Sequence, residues 1–361
     1  MKSTNMGRTA AATAVLALVA AWPSVASAES SVTLSGLLGS GVTYTSNAAP
    51  GTRAQLSGTH AVPFWAISGR EDLGDGNTAF FRFSQYSFLD TGITAPFESY
   101  VGLSSARWGT VTLGSMYDLL ADLVPFTSER YTSLLATHPG NLDRTVGNSL
   151  SNTVKYKSPV TSGFGFGLEY GFGEPGTASN TGRVLGGELN YTAGPWQAVL
   201  VWESVHGIPF APVAKLGITR LYGLDFSKAP ATTLSQDQDT ATLGLAYADQ
   251  GWRLMANYSD TRLAAAGASQ DEKARSLDLG AYKYISTQLR VGGGYSYTTL
   301  ASYHWNQWHA HADYALSRRT SLYVLGVLQL AGAGQLAVMR NQPVATASRQ
   351  AVFEVGMTHL F

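Results

Sequence analysis

Cysteine is absent from the 361-residue chain, which excludes disulfide-stapled folds and thiolate metal sites. Charge is scarce as well. Asp, Glu, Lys and Arg together make up 13% of the residues, against ~25% in an ordinary soluble domain. The 24 basic and 24 acidic residues cancel, so no one-signed surplus marks a nucleic-acid surface. Beyond the N-terminal leader, no apolar run approaches the ~20 residues that a membrane helix requires. A chain this poor in charge, without hydrophobic stretches, needs a second apolar surface built another way. Alternating strands with one face toward lipid provide it.

The first residues have a separate purpose. Lys2 and Arg8 form a short basic region, Thr9 to Ala21 is small and apolar, and Ala26-Ser27-Ala28 precedes Glu29. This is the order of a secretory leader with an A-x-A cleavage site, and the apolar run is too short to cross a bilayer. Residues 1–28 are therefore read as a cleaved signal peptide, and residues 29–361 as one exported domain.

Period-two alternation runs through that domain. Its cleanest stretch sets Phe164, Phe166, Leu168, Tyr170 and Phe172 against Gly165, Gly167, Glu169 and Gly171. Sixteen such runs can be marked, from 32–44 to 350–361. Short connections rich in Gly, Pro, Asn and Asp, such as 72–77, 193–195 and 249–251, alternate with longer ones, the longest being 116–150 and 205–239. Tight turns at one end and long loops at the other describe an all-β, 16-stranded antiparallel transmembrane barrel. A secreted lectin or sandwich would alternate too, but without this asymmetry of loops. The last residues fit closure: Phe353, Val355, Met357, His359 and Phe361 share one face of a strand that ends the chain, where pairing with the first strand leaves no edge. A barrel of this size holds an aqueous channel. Inward positions such as Glu169, Glu188, Asp278 and His311 are expected to be solvated there. Tyr44, Trp65, Trp108, Tyr170, Trp196, Trp202 and Tyr314, near strand ends, suit the interfacial aromatic girdles.

Several segments together resemble the trimeric general-diffusion porins of Gram-negative outer membranes, of the betaproteobacterial type. They are Ser31-Val-Thr-Leu-Ser-Gly36, Gly69-Arg-Glu-Asp-Leu-Gly74, Glu98-Ser-Tyr-Val-Gly-Leu-Ser104, Trp108-Gly-Thr-Val-Thr-Leu-Gly114 running into Tyr117-Asp118, Asn152-Thr-Val-Lys-Tyr156, and the terminal Phe361. The resemblance implies passive diffusion of ions and small hydrophilic solutes, a homotrimer, and contact with outer-membrane lipid and lipopolysaccharide. It implies no cofactor. It also implies that the third loop, residues 116–150, folds into the pore. That loop carries Asp118, Asp122, Glu129 and Asp143 as constriction acids, with Arg130 and Arg144 beside them. The facing wall offers Arg82, Lys155, Lys157 and Arg290 at inward parity, so that acids and bases set up a transverse field. In such porins Phe353, Val355, Met357 and Phe361 also act as the signal read by the outer-membrane assembly machinery.

The chain departs from that pattern where it bears on selectivity. Phe64 and Ser68 stand where the second strand often carries two pore-facing arginines, and Ser115-Met116 replaces a common Arg-Gln. A less basic wall leaves a substrate-selective channel as the alternative reading. A remoter one is an outer-membrane hydrolase built on His309, His311 and Asp313, which share a face of one strand. Neither a Gly-x-Ser-x-Gly elbow nor a His-Glu-x-x-His motif accompanies them, so the chain is read as a channel and not an enzyme.

Overall fold

The computed structural model describes residues 30–48, 54–57, 62–128, 134–173 and 182–361. The expected leader 1–28, and Glu129 and Arg130 of the long loop, lie outside the described residues.

Seventeen strands form one antiparallel sheet, and its two ends meet. Sixteen of them build the wall: β1 (Ser31–Thr45), β2 (Phe64–Gly74), β3 (Asn77–Ser87), β4 (Thr94–Ser105), β5 (Gly109–Tyr117), β6 (Ser149–Lys157), β7 (Phe164–Phe172) and β8 (Arg183–Ala193) make the first half. The second half is β9 (Trp196–Phe210), β10 (Leu234–Asp249), β11 (Trp252–Ala265), β12 (Glu272–Tyr284), β13 (Leu289–Leu300), β14 (Tyr303–Ala315), β15 (Thr320–Ala331) and β16 (Arg349–Leu360). The seventeenth, Ala54–Ser57, only adds to the end of β1. Each strand pairs with its neighbour in sequence, so alternation alone decides which side chains face out. On β7 the exposed residues are Phe164, Phe166, Leu168, Tyr170 and Phe172, while the glycines and Glu169 between them face inward and are buried. Of the residues expected in girdles, Tyr44, Trp108, Tyr170, Trp196, Trp202 and Tyr314 are all exposed on the outside.

Closure is a real ladder. Leu37 faces Leu360 and Thr45 faces Val352, with unbroken register between. Phe361 extends it by one rung, exchanging backbone hydrogen bonds with Gly36 at 3.1 and 3.2 Å. Its ring lies over Gly36, where an added Cβ would overlap that ring and sit 2.6 Å from the Phe64 carbonyl. Only glycine tolerates so close an approach. The seam is also bolted from inside. Glu354 on β16 is fully buried and accepts hydrogen bonds from Thr43 Oγ1 on β1 (2.9 Å) and Tyr323 Oη on β15 (2.5 Å).

Two features differ from the reading of sequence. The connection 205–239 shrinks to 211–233, because β9 runs on to Phe210 and β10 starts at Leu234. A bulge between Val205 and Ile208, with Gly207 at φ 72°, shifts the alternation by one residue and hides this extension. The alternation of short and long connections is also not strict, since β13 and β14 are joined by Ala301 and Ser302 alone, with Ala301 at φ 52°. Loop 211–233 folds on itself, with a short helix, α1 (Pro212–Leu216), and a tight hairpin turned at Tyr222 and Gly223, both at positive φ. Leu216, Ile218, Leu221, Tyr222 and Phe226 pack with Leu142, Val338, Leu263, Leu300 and Trp305. This is a hydrophobic core at the long-loop end of the barrel.

Candidate pore-lining site

The described parts of the segment between β5 and β6, residues 118–128 and 134–148, pack against the inner face of the wall. Asp118 caps a 3-10 helix, Leu119–Phe126, by accepting the Ala121 N–H at 3.2 Å. Leu119, Leu120, Leu123 and Phe126 then pack on Val199, Val201, Ala246 and Met255. The wall makes room with glycine: a Cβ on Gly244 of β10 would lie 2.7 Å from Phe126, and one on Gly186 of β8 would lie 3.2 Å from Leu119. Further along, Gln307 of β14 donates to the Ala136 carbonyl at 2.6 Å.

Two polar anchors fix this segment. In the first, Arg144 pairs with Asp118 and with Glu203 of β9 (3.0 Å), and Glu203 also accepts the Leu119 N–H at 3.2 Å. In the second, His138 lies between two carboxylates, Nδ1 at 2.7 Å from Asp143 and Nε2 at 3.2 Å from Asp278 of β12. Asp278 further accepts the Ser128 N–H at 2.9 Å, and Asp143 accepts from Ser259 Oγ of β11 at 2.6 Å. Burial works against a charged imidazole, but the two carboxylates override it and raise His138 well above its usual pKa. Burial would likewise raise Asp143, yet His138 and Ser259 hold it down at about 2. At Asp118 burial prevails over Arg144, and its pKa is raised.

These contacts change the picture drawn from sequence. Asp118 and Asp143 are each 1% exposed and their charge is taken up by Arg144 and His138, so neither presents a free carboxylate to water. Asp122 is the exception, half-exposed and paired with Lys157. Against partial burial, the Lys157 amine holds Asp122 below the ordinary carboxylate range. Nor are Glu169, Glu188, Asp278 and His311 solvated, because the inner segment and neighbouring strands cover all four. The wall bases each meet an acid as well. Arg82 lies 3.2 Å from Glu98, Lys155 3.7 Å from Glu169, and Arg290 3.0 Å from Asp313, while Lys157 holds both Asp122 and Glu188. Arg82 also donates to Ser68 at 3.4 Å and stacks over Phe64 at 5.4 Å, so the two residues standing at the usual arginine positions support a third arginine instead. His311 lies 3.5 Å from Asp313, which Arg290 already engages, and His309 turns toward the Ser128 backbone of the inner segment. Among the described residues no group of three His, Asp or Glu side chains is placed to hold a metal ion. The terminal-strand residues Phe353, Val355 and Met357 are exposed on the outer face, and Phe361 sits at the seam.

Sequence reasoning missed the anchors. Glu203 and Ser259 carry inward parity like many neighbours, and only tertiary contact singles them out. It also missed an inward aromatic cluster on β2–β5. Tyr86 stacks on Phe97 at 4.3 Å, Phe64 and Tyr117 meet Phe97 edge-on at 5.6 and 5.3 Å, and the Tyr86 and Tyr117 hydroxyls are 2.8 Å apart. The signal was present in Pro96-Phe97-Glu98, where the register between β3 and β4 slips and adds an inward ring.

The whole chain can be compared with known proteins once this geometry is in hand. It is 29% identical to outer membrane porin protein 32 of Delftia acidovorans, covering 93% of this chain and 91% of that protein. It is 25% identical to an outer membrane porin protein of Bordetella pertussis, over 86% and 91% of the two chains. Among solved structures, an anion-selective porin from Comamonas acidovorans superposes with a TM-score of 0.77 at 25% identity, covering 92% of this chain and all of that one. An outer membrane protein of Vibrio cholerae, 11% identical with a TM-score of 0.71, shares the fold alone. The sequence profile of the Gram-negative porins matches residues 12–326. With its closed 16-stranded barrel and relatives of this kind, the chain belongs to the Gram-negative porin family, whose members form outer-membrane channels for passive diffusion.

Proposed function

We propose that residues 116–150 are the constriction of this porin, and that it passes ions and small hydrophilic solutes with no chemistry of its own. The observation that carries this reading is the docking of the segment across the inner face, from Glu203 of β9 to Asp278 of β12 and Gln307 of β14. A segment so placed takes up lumen that a 16-stranded barrel would leave open. The His309, His311 and Asp313 face, taken up with wall and loop contacts, contributes packing and charge balance in this reading. Cleavage after Ala28, assembly as a homotrimer in lipid and lipopolysaccharide, and recognition of Phe353, Val355, Met357 and Phe361 by the assembly machinery complete it.

The selectivity follows from pairing. Acids and bases that neutralise one another at 3–4 Å leave a weaker transverse field than unpaired rows would. Arg340 and Lys215, which no carboxylate among the described residues pairs, give the long-loop entrance a modest anion preference, in keeping with the name of the Comamonas relative. Single-channel recording tests both parts. Shortening 119–147 to a flexible link is expected to raise conductance at least about twofold, since the barrel lumen is then limited by its wall. The intact porin should show a small anion-directed reversal potential in a salt gradient. Unchanged conductance in the shortened variant would sink the constriction assignment, and a cation-directed potential would sink the charge assignment.

A further inference from the structure

A cavity of about 450 Å³ opens among the inner segment, loop 211–233 and loop 332–348. Its lining includes Arg144, Lys215 and Arg340, the amides of Asn141, Asn148 and Gln342, and no carboxylate. Arg144 is spent on Asp118 and Glu203. Arg340 has no ion pair among the described residues, and one of its terminal nitrogens is buried without a hydrogen-bond partner, as are Asn141 Oδ1 and Gln342 Nε2. Arg340 Nη1 and Gln342 Nε2 are donors, and left open in this way they carry a desolvation cost that an acceptor from outside would relieve, while Asn141 Oδ1 stands as an acceptor beside them.

The cavity adjoins the aromatic cluster. Asn148, in its lining, accepts the Asp118 N–H and precedes Ser149, the β6 partner of Tyr117. Gly147 lies so close that an added Cβ would be 3.0 Å from the Tyr117 ring. Arg340 is within electrostatic range of both the Tyr86 and Tyr117 hydroxyls. Those hydroxyls share one hydrogen bond, which uses one of their two protons and leaves the other to donate. The acids nearest the rings, Glu98 and Asp118, are held by Arg82 and Arg144. The place therefore combines a half-buried aromatic wall, an uncompensated guanidinium and a spare phenolic proton.

Resting on the channel reading above, we propose that the long-loop mouth of this porin binds small aromatic carboxylates. The carboxylate meets Arg340 and the leftover phenolic proton, and the ring lies against Tyr86, Phe97 and Tyr117. A plain short-chain anion satisfies only the charge, and a neutral ring only the apolar wall. An aromatic cation meets Arg340 as a like charge.

Planar-bilayer recording of the whole porin with benzoate, acetate, benzyl alcohol and benzylammonium added to the long-loop side separates these terms. Benzoate should interrupt the current at concentrations at least about tenfold below acetate, as ring packing adds to the charge contact. Benzyl alcohol and benzylammonium should have little effect. Arg340→Gln should weaken the benzoate effect about tenfold, the loss of a charge-assisted hydrogen bond. Phe97→Leu should bring benzoate toward acetate while leaving the acetate response as it was. Tyr86→Phe together with Tyr117→Phe, which keeps both rings and removes both phenolic protons, should weaken the benzoate effect. Equal potency of benzoate and acetate overturns the site, as does an Arg340→Gln porin with wild-type conductance and wild-type benzoate response. Absence of any conductance, by contrast, would fail the channel reading itself.

Discussion

Removing the His138 side chain is the sharpest test of how the inner segment is held. His138 is 1% exposed and joins Asp143, on its own segment, to Asp278 on β12. In His138→Ala, Asp278 keeps the Ser128 N–H and Asp143 keeps Ser259, but two buried carboxylates face each other without the intervening cation. Breaking a buried pair from one side costs about 3–5 kcal/mol, which at 1.4 kcal/mol per power of ten is roughly two to three and a half orders of magnitude in the docked-to-released equilibrium. The barrel itself is carried by backbone ladders that this substitution does not touch. The helix Leu119–Phe126 also keeps its apolar seat on Val199, Val201, Ala246 and Met255. Release is therefore expected between residues 134 and 143, since Ser128 keeps Asp278 and Arg144 keeps Asp118 and Glu203. It should appear in single-channel records as a noisier and larger open current, and in limited proteolysis as new cuts in that stretch, with little change in thermal unfolding. Adding Asp278→Asn to His138→Ala removes one of the opposed charges and should quieten the record again. A His138→Ala porin with wild-type current noise and wild-type protease resistance would show that the segment is held by something else.

The same triad predicts a pH window. His138 is raised in the folded state, so its contribution is complete below its unfolded value of 6.5 and fades as pH climbs through the higher folded one. Asp143 is lowered to about 2 from 3.8, so its contribution is present above 3.8 and lost as pH falls toward 2. Open-channel noise should accordingly be lowest between about pH 4 and 6.5 and rise on both sides, whereas a flat profile in wild type would contradict the assignment. At the seam, Glu354→Ala leaves the Thr43 and Tyr323 hydroxyls without their shared acceptor, at about 1–3 kcal/mol for each buried hydroxyl left unsatisfied. Heating in detergent should unfold that variant below wild type, with Glu354→Gln between the two. If Ala and Gln behave alike, the acceptor is not what matters.

Much of the wall was legible in residue order because its signal is local. A strand shows one face at every second residue, so Phe164 to Phe172 announces its own lipid side whatever it pairs with. Tight turns carry their own chemistry, as Asp75-Gly76 and Gln250-Gly251 do with positive φ at both residues. The alternation of Phe353, Val355 and Met357 likewise marks the outer face of the strand whose ladder with β1 closes the barrel. Where a bulge displaced the period, as at Gly207, the same reading lost the end of β9.

The fate of the charges was not legible. Parity places Lys157, Glu169 and Glu203 on the inner face, but which of them stays wet depends on what folds over them. Arg144 meets Glu203, and His138 meets Asp278, across stretches of chain that carry no periodic relation to one another. Sequence by itself therefore determined the strands, their outward faces and the family. Only the tertiary structure decided that the loop acids Asp118 and Asp143 act as buried anchors while Arg340 is left open at the mouth. Alternation is a property of neighbouring residues, whereas ionisation and pairing belong to whichever distant groups the fold brings within a few ångströms.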